Sequence, residues 1–489
     1  MEATRTERET AAPNPEAPSA LAAFLDRPML KYLGFALLLA WHYTLWFIPD
    51  LFCDVALLDD RVTDSWIVNL VATSAFLFLI AGLLGRKRHL SDYAAVLPAA
   101  VGVAAGGTLA LGFLPFDAAP AWIFSLIAVI LGAAEAALWI LWGEYYARVK
   151  ANFTISHIGT VFGLALFLCT LVAYLLPSSV VALFAAVLPA LSGIILRLMG
   201  PAASDPFPPL LPKSATRSGV KNMMGVGFVT LFACTACYFL DCIIPWDTLP
   251  TGDASFTFGI LCGGVIILAI AGIYTLSRDR LNIFKIYPGL LVVIMMAFAL
   301  FLASDELWLL SFVIGIGAQA LFEILLIMYF GILTSKGYAT PAITFAMAGG
   351  FVRLGLALGN SWALAYEANP ALAAAITPET CLALMCLLAV VLVPLVRLEF
   401  SIVALTAAPP SKSEIEEICA EVAAEFSLSA REGEILLLIA RGHTTNSMAE
   451  KLVISPYTVN THIRHIYDKM QIHKRSELLN YLNMQRSDF

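Results

Sequence analysis

The sequence predicts an all-α chain in two parts: a polytopic membrane domain of twelve transmembrane helices arranged six plus six, then a four-helix soluble domain of helix-turn-helix type. Three observations predict it. Of 489 residues, 60% are hydrophobic and 13% charged, with a mean hydropathy of +0.83. Soluble globular chains run near ~45–50% apolar and ~25% charged, so an ordinary soluble enzyme of this length is excluded. The charge is also unevenly spread: Leu30 to Leu398 holds 17 Lys and Arg and 19 Asp and Glu in 369 residues, whereas Phe400 to Phe489 holds 9 and 11 in 90. Thirdly, basic residues recur in every second connection, the pattern of a chain threaded back and forth through a bilayer.

A crossing of the hydrocarbon core needs about 20 mostly apolar residues. Such stretches fall at about 30–49, 65–85, 93–114, 121–144, 153–176, 180–199, 222–246, 256–276, 286–303, 307–331, 341–366 and 380–398. Residues 1–29 are polar and rich in Pro and Ala with no apolar core, so they are not a cleavable signal peptide, and the first span directs insertion. The third and fourth spans (VGVAAGGTLALG, ILGAAEAAL) are rich in Gly and Ala, which suits close helix packing in lipid. With the N-terminus inside, cytoplasmic connections and span ends collect 18 of the 20 Lys and Arg before Phe400; the exceptions are Arg61, outside, and Arg353, within a span. An even number of spans then returns the C-terminus to the cytoplasm.

The longest cytoplasmic connection, Pro201 to Lys221, separates two sets of six spans, and the halves repeat in fragments. GLALFLCTLVAY from Gly163 lines up 192 residues later with GLALGNSWALAY from Gly355, and Ala81-Gly82, at a similar offset, with Ala271-Gly272. The domains are therefore an N-terminal segment (1–29), a first half (30–199), a central loop (200–221), a second half (222–398), a linker helix (399–426) and the soluble domain (427–489). Residues 30–398 resemble the major facilitator transporters in this layout, with the fragment Gly82…Gly85-Arg86-Lys87-Arg88 in place of that family's full loop signature.

An ionisable side chain at membrane depth costs ~2.5–3.5 kcal/mol on insertion scales and marks a functional-site candidate. The candidates are His42, Glu135, His157, Asp241, Glu323 and Arg353. Arg353 requires a carboxylate, and Glu323 and Asp241 are the first choices. Gln319 and Glu323 share one helix face, as do Arg353 and Asn360, so His42, Glu135, Asp241, Gln319, Glu323, Arg353 and Asn360 together form a candidate ligand pocket between the halves. The competing reading is a structural ion pair that fixes helix register. Trp41, Trp46, Trp139 and Trp142 either stack on a ligand or pack structurally, and packing is favoured. Glu144 and Arg197 are expected at the interface. Nine cysteines lie mostly within spans, with Cys53 in an outer loop, and Cys234-x-x-Cys237 is read as apolar packing rather than redox or metal chemistry. No catalytic constellation, metal site or cofactor motif stands out, and the chain is not expected to be an enzyme.

Beyond Arg397 the sequence turns polar. Ser413 and Glu416 open a linker helix whose apolar stripe is Ile415, Ile418, Val422 and Phe426. Ser429 with Glu432 forms a capping box for the next helix, and Gly442 closes it. A short helix runs to about Val453, Ser455 caps a longer one with Pro456 at its first position, and Ser476 caps a last one. On the longer helix Val459, Ile463, Ile466 and Met470 form the buried face, and Tyr457, Asn460, Thr461 and Arg464 the opposite one, with Thr458 and Lys469 alongside. Two helices joined by a tight turn, the second longer, form helix-turn-helix geometry, and that polar face suits the DNA major groove. Ser455 to Arg475 holds four Lys and Arg, three His and one acid, a basic patch within a chain of net charge −7. Thr444 and Thr445, at the start of the shorter helix, complete the DNA-contact candidates.

Leu428-Ser429, Arg431-Glu432, Gly442, Met448-Ala449, Leu452, Ile454-Ser455, Thr458-Val459 and Thr461-His462-Ile463 resemble the LuxR-type DNA-binding domain of bacterial transcription regulators. Where that family usually has a DNA-contacting Lys after Thr-Val, this chain has Asn460; the basic residue four further on is kept as Arg464, and Thr445-Asn446-Ser447 replaces the usual Asn-Lys-Glu. The combination resembles membrane-embedded LuxR-family regulators with a twelve-span, transporter-like sensor. The resemblance implies a one-component system with double-stranded promoter DNA, a lipid bilayer, an unidentified small molecule and RNA polymerase as partners, and a homodimer on DNA. A transporter carrying a regulatory tail is the alternative.

Overall fold

In a computed structural model the described residues are 29–48, 51–52, 60–85, 88–115, 119–149, 151, 154–199, 207, 213–245, 254–276, 286–335, 337–406, 412–440, 443 and 445–485, and among them there are helices and no strands. They form two compact units, divided after Thr406. The first contains twelve long helices: α1 (Leu30–Phe47), α2 (Asp60–Leu84), α3 (Val96–Phe113), α4 (Ala121–Arg148), α5 (Ile155–Leu175), α6 (Ser178–Leu198), α7 (Lys213–Ile243), α8 (Ser255–Leu276), α9 (Ile286–Ala303), α10 (Trp308–Ser335), α11 (Pro341–Glu367) and α12 (Pro370–Thr406). Ten of these are long and apolar enough to cross a membrane. The other two are α1, diluted by Trp41, His42, Tyr43 and Thr44, and α9, in which Pro288–Ala303 is a shorter apolar stretch. Leu83, Leu175, Leu276 and Val390 point outward and exposed, as side chains do when the surrounding solvent is lipid.

The two halves repeat in space. In the first, α1 packs on α5 and α6, α2 on α4, and α3 on α4 and α6; six helices later α7 packs on α11 and α12, α8 on α10, and α9 on α10 and α12. The halves meet where α5 lies against α8 and α2 against α11, two contacts exchanged by the same six-helix shift. Small residues permit the closest of these approaches. A Cβ on Gly359 would stand 2.6 Å from the backbone oxygen of Thr235, and one on Gly163 3.1 Å from that of Gly264, so α11 meets α7, and α5 meets α8, nearly backbone to backbone.

Several helices outrun the apolar stretches that announce them. α2 begins at Asp60, so Arg61 and Asp64 belong to a helix rather than to a connection. α7 begins at Lys213 inside the expected central loop, and α12 spans 370–406 rather than 380–398. Hydropathy marks the stretch immersed in lipid, whereas backbone hydrogen bonding continues into polar turns.

The second unit has five helices: α13 (Lys412–Glu425), α14 (Ala430–Ala440), α15 (Thr445–Leu452), α16 (Pro456–Met470) and α17 (Arg475–Gln485). Ile418, Cys419, Val422, Ile435, Leu436, Ile439, Met448, Val459, Ile466, Met470 and Leu478 are its core. The expected linker therefore divides. Residues 399–406 continue α12, and α13 joins the soluble domain by packing on α14 and α17, with Ile418 and Val422 of its stripe buried. Tyr481 fixes it further by donating its hydroxyl to Glu425 at 3.0 Å and stacking edge-on against Phe426.

Candidate functional site

Arg353 sits in the middle of α11 with 2% of its surface exposed, and its closest partner is Glu135 of α4 rather than either acid singled out from sequence. Its Nε donates to Glu135 Oε1 at 3.1 Å and its Nη2 to the same oxygen, while Nη1 donates to the Gly349 carbonyl at 3.3 Å. The guanidinium lies 4.3 Å from the Trp139 ring centroid. The other Glu135 oxygen faces His42 Nδ1 at 3.2 Å and the Thr73 hydroxyl at 3.4 Å. Glu323 stands farther off, with Oε1 4.0 Å from Arg353 Nη1, and accepts a 2.8 Å hydrogen bond from Tyr43. Five helices supply these groups, α1, α2 and α4 from the first half and α10 and α11 from the second.

The assembly depends on small neighbours. A Cβ on Gly132 would lie 2.9 Å from Thr73 N, and one on Gly349 3.0 Å from the Trp139 ring, so a methyl at either point would press apart the elements that deliver Thr73 and Arg353 to Glu135. A buried ion is tolerated when its charge is paired and its remaining hydrogen bonds are met, which Glu135 achieves on both oxygens.

The other expected pocket residues are placed differently. Asp241, fully buried on α7, is not part of this network: one oxygen lies 4.0 Å from Cys237 Sγ and the other, which presses on Gly315, has no hydrogen-bond partner. Gln319 and Asn360 are buried on the faces expected of them, without hydrogen bonds to the network among the described residues. His157 lies in the first turn of α5, where its Nδ1 meets the Thr154 hydroxyl at 3.0 Å. Glu144 is buried rather than interfacial, and accepts the backbone N–H groups of Leu90 and Ser91 at 2.6 and 2.8 Å. Trp41 and Trp142 donate to Thr108 and Ser192, the packing reading of those rings. Cys234 and Cys237 are packed in the core, and the eight described cysteines are all free.

A narrow cavity of about 30 Å³ adjoins the network, lined by His42, Tyr43 and Gln319 and by four rings, Phe47, Trp66, Tyr238 and Phe256. Beyond Tyr43 is a second void of about 20 Å³, bordered by Glu323.

In the soluble unit, Ser455 caps α16 by accepting from Thr458 N at 3.0 Å, with Pro456 at the first helical position. Val459 and Ile466 are fully buried and Met470 nearly so. The opposite face carries exposed Tyr457, Asn460 and Arg464, with Thr458 and Thr461 half-buried. Thr461 returns its hydroxyl to the Tyr457 carbonyl at 3.1 Å, and Thr458 bonds Ser455 side chain to side chain at 2.8 Å, so the freest groups are Tyr457, Asn460 and Arg464. Thr445 is the first residue of α15; Thr444 and Gly442 lie outside the described residues. The last helix starts at Arg475, one residue before its expected cap at Ser476.

Lys469 is committed inside the domain, donating to Glu432 at 2.7 Å and to the Ser427 carbonyl at 3.0 Å. Glu432 completes the capping box by accepting from Ser429 N at 2.7 Å. The hydrogen bond from Lys469, joined by that backbone bond, holds the Glu432 carboxyl down at about 2. A carboxyl depressed by folding adds stability that is complete above its ordinary value of 4.5 and fades as pH falls towards 2. The melting temperature of residues 407–489 is thus expected to drop over that window, and Lys469→Met to shrink the drop. At neutral pH that substitution should cost about 1–2 kcal/mol, the low end for a charged hydrogen bond because the lysine is partly exposed.

Residues 426–482 match the family model described as bacterial regulatory proteins, luxR family. The tail is a LuxR-type helix-turn-helix domain. Its similar curated proteins include the oxygen regulatory protein NreC of Staphylococcus epidermidis, 38% identical over 71 residues, which are 14% of this chain and 33% of that protein. NreC of Staphylococcus carnosus is 46% identical over 54 residues, 11% of this chain and 25% of that protein. The chain thus spans a quarter to a third of the length of these relatives. The match covers α14, α15 and α16. Among solved structures, the human organic anion transporter MFSD10 (TETRAN) matches with TM-score 0.44 and 17% identity over 75% of this chain and 96% of that one. A mutant of the peptide transporter POT matches with TM-score 0.48 and 15% identity over 77% and 94%.

Proposed function

We propose that this chain is a membrane-bound one-component transcription regulator of the bacterial inner membrane: the twelve-helix domain senses a small molecule, and the LuxR-type tail binds promoter DNA as a dimer. The observation that carries the reading is that a helix-turn-helix domain with Tyr457, Asn460 and Arg464 exposed on its recognition helix shares one chain with a bundle whose two halves meet at a buried charged network beside a cavity. The crowding of Lys and Arg into alternate connections supports cytoplasmic termini, where DNA is. A ligand acts by binding two states of the bundle unequally. The network suits this, because Glu135 and Arg353 come from opposite halves and any sliding of one half on the other alters their pairing.

Full-length protein in nanodiscs, mixed with fragments of the source genome at low salt, is expected to enrich fragments sharing an inverted repeat with half-sites about one helical turn apart. Enrichment of none would remove the DNA-binding role. The transporter-like repeat of the halves favours a second reading, a secondary transporter with a regulatory tail; saturable uptake into proteoliposomes would select it, and binding without flux the receptor.

A further inference from the structure

The two buried acids of the network are unequally satisfied. Glu135 has Arg353 on one oxygen and His42 with Thr73 on the other, whereas Glu323 has the Tyr43 hydroxyl and only a 4.0 Å approach of Arg353. One guanidinium thus serves two carboxylates. Glu323 is therefore the acid with room for a further donor. A buried carboxylate with one close donor and a guanidinium only at 4.0 Å is complementary to an added cation and unfavourable to an anion.

Two further features point the same way. Gln319, one turn before Glu323 on α10 and 7% exposed, lines the cavity with its Oε1 lacking any hydrogen-bond donor. The cavity walls are aromatic: Phe47 lies 5.3 Å from Trp66 and 5.6 Å from Phe256, and Trp66 lies 5.1 Å from Tyr238, centroid to centroid. Ring faces carry negative charge and attract ammonium groups, and a lone-pair acceptor at the rim suits the N–H bonds of a cation. At about 30 Å³ and 20 Å³, neither void takes more than water. Tyr43 is the partition between them, and its hydroxyl occupies the carboxylate that a cation would claim.

We propose that the ligand sensed by the membrane domain is a small organic ammonium ion, received by Glu323 and Gln319 with its apolar body among Phe47, Trp66, Tyr238 and Phe256. Its ammonium group displaces the Tyr43 hydroxyl from Glu323, and the turned tyrosine merges the two voids into one pocket. This rests on the sensing role proposed above and adds to it the chemical class of the ligand.

The test uses full-length protein in nanodiscs and three probes of nearly one shape: benzylammonium, benzyl alcohol and benzoate, followed by tryptophan fluorescence and by ligand-induced shift of the melting temperature. Benzylammonium is expected to bind at least about tenfold more tightly than either counterpart. Glu323→Gln should reduce it to the affinity of the alcohol. Tyr43→Phe, which keeps the ring but releases Glu323, should tighten it about threefold or more. Absence of benzylammonium binding, equal or better binding of benzoate or alcohol, or weakened binding in Tyr43→Phe overturns the proposal. If Glu323→Gln fails to fold, the probe series on the unaltered chain and Tyr43→Phe decide. DNA enrichment is measured separately: enrichment without ammonium binding refutes the ligand class and leaves the regulator, and the reverse result refutes the regulator and leaves the site.

Discussion

Arg353→Met is expected to destabilise the membrane domain by about 3–5 kcal/mol, seen as a large fall in melting temperature and in monodisperse yield from detergent. The cause is the residue left behind more than the one removed. Glu135, 1% exposed, would keep one hydrogen bond from His42 and one from Thr73 but lose its only full counter-charge, and Glu323 would keep Tyr43 alone. The double variant Arg353→Met, Glu135→Met should regain most of the loss, because apolar side chains of similar volume replace a buried pair at little net cost. Arg353→Lys should fall between, since a point charge cannot both bond Glu135 through two nitrogens and lie flat on Trp139. A single variant that melts with the unaltered protein would show the pair to be without structural weight.

Arg464→Ala and Asn460→Ala should each weaken DNA binding by about 1–3 kcal/mol, roughly ten- to a hundredfold, and together abolish measurable occupancy. Both side chains are exposed on α16, so melting of the tail should not move. The salt dependence separates their roles. If Arg464 meets a phosphate, its loss lowers the slope of log affinity against log salt by about one; if it reads a base, the slope stays and preference at one position relaxes. Unchanged affinity in both variants would relocate the DNA face.

The soluble unit was the more legible half because its signals are local. Ser429 with Glu432, and Ser455 with Pro456, are caps whose partners lie within three residues, and each forms as the sequence implies. The Lys469–Glu432 bond joins residues 37 apart and has no signature in either stretch, so Lys469 reads as a DNA-facing cation until its partner is seen. In the membrane domain the list of buried ionisable groups was legible, since each interrupts an apolar run. Their pairing was not. Arg353 and Glu135 are 218 residues apart, and which acid faces which base depends on how α2, α4 and α11 approach, a matter settled by Gly132 and Gly349. Thr73 and Tyr43 went unnoticed for the same reason, being unremarkable until a carboxylate is placed beside them. Ile418 and Val422 of the α13 stripe are used up inside their own domain.

The length of α12 has a mechanical consequence. Its 37 residues, at about 1.5 Å each, make a rod of about 55 Å, while the hydrocarbon layer is about 30 Å thick. Its apolar window closes at Val393, so residues 394–406 carry the helix about 20 Å past that window. Tilting such a rod by 10° about the end of that window would sweep Thr406 through about 3.5 Å, the length of one residue of extended chain. A rearrangement too small to open a pathway through the bilayer would therefore still arrive at the end of α12 as a displacement on the scale of a DNA contact.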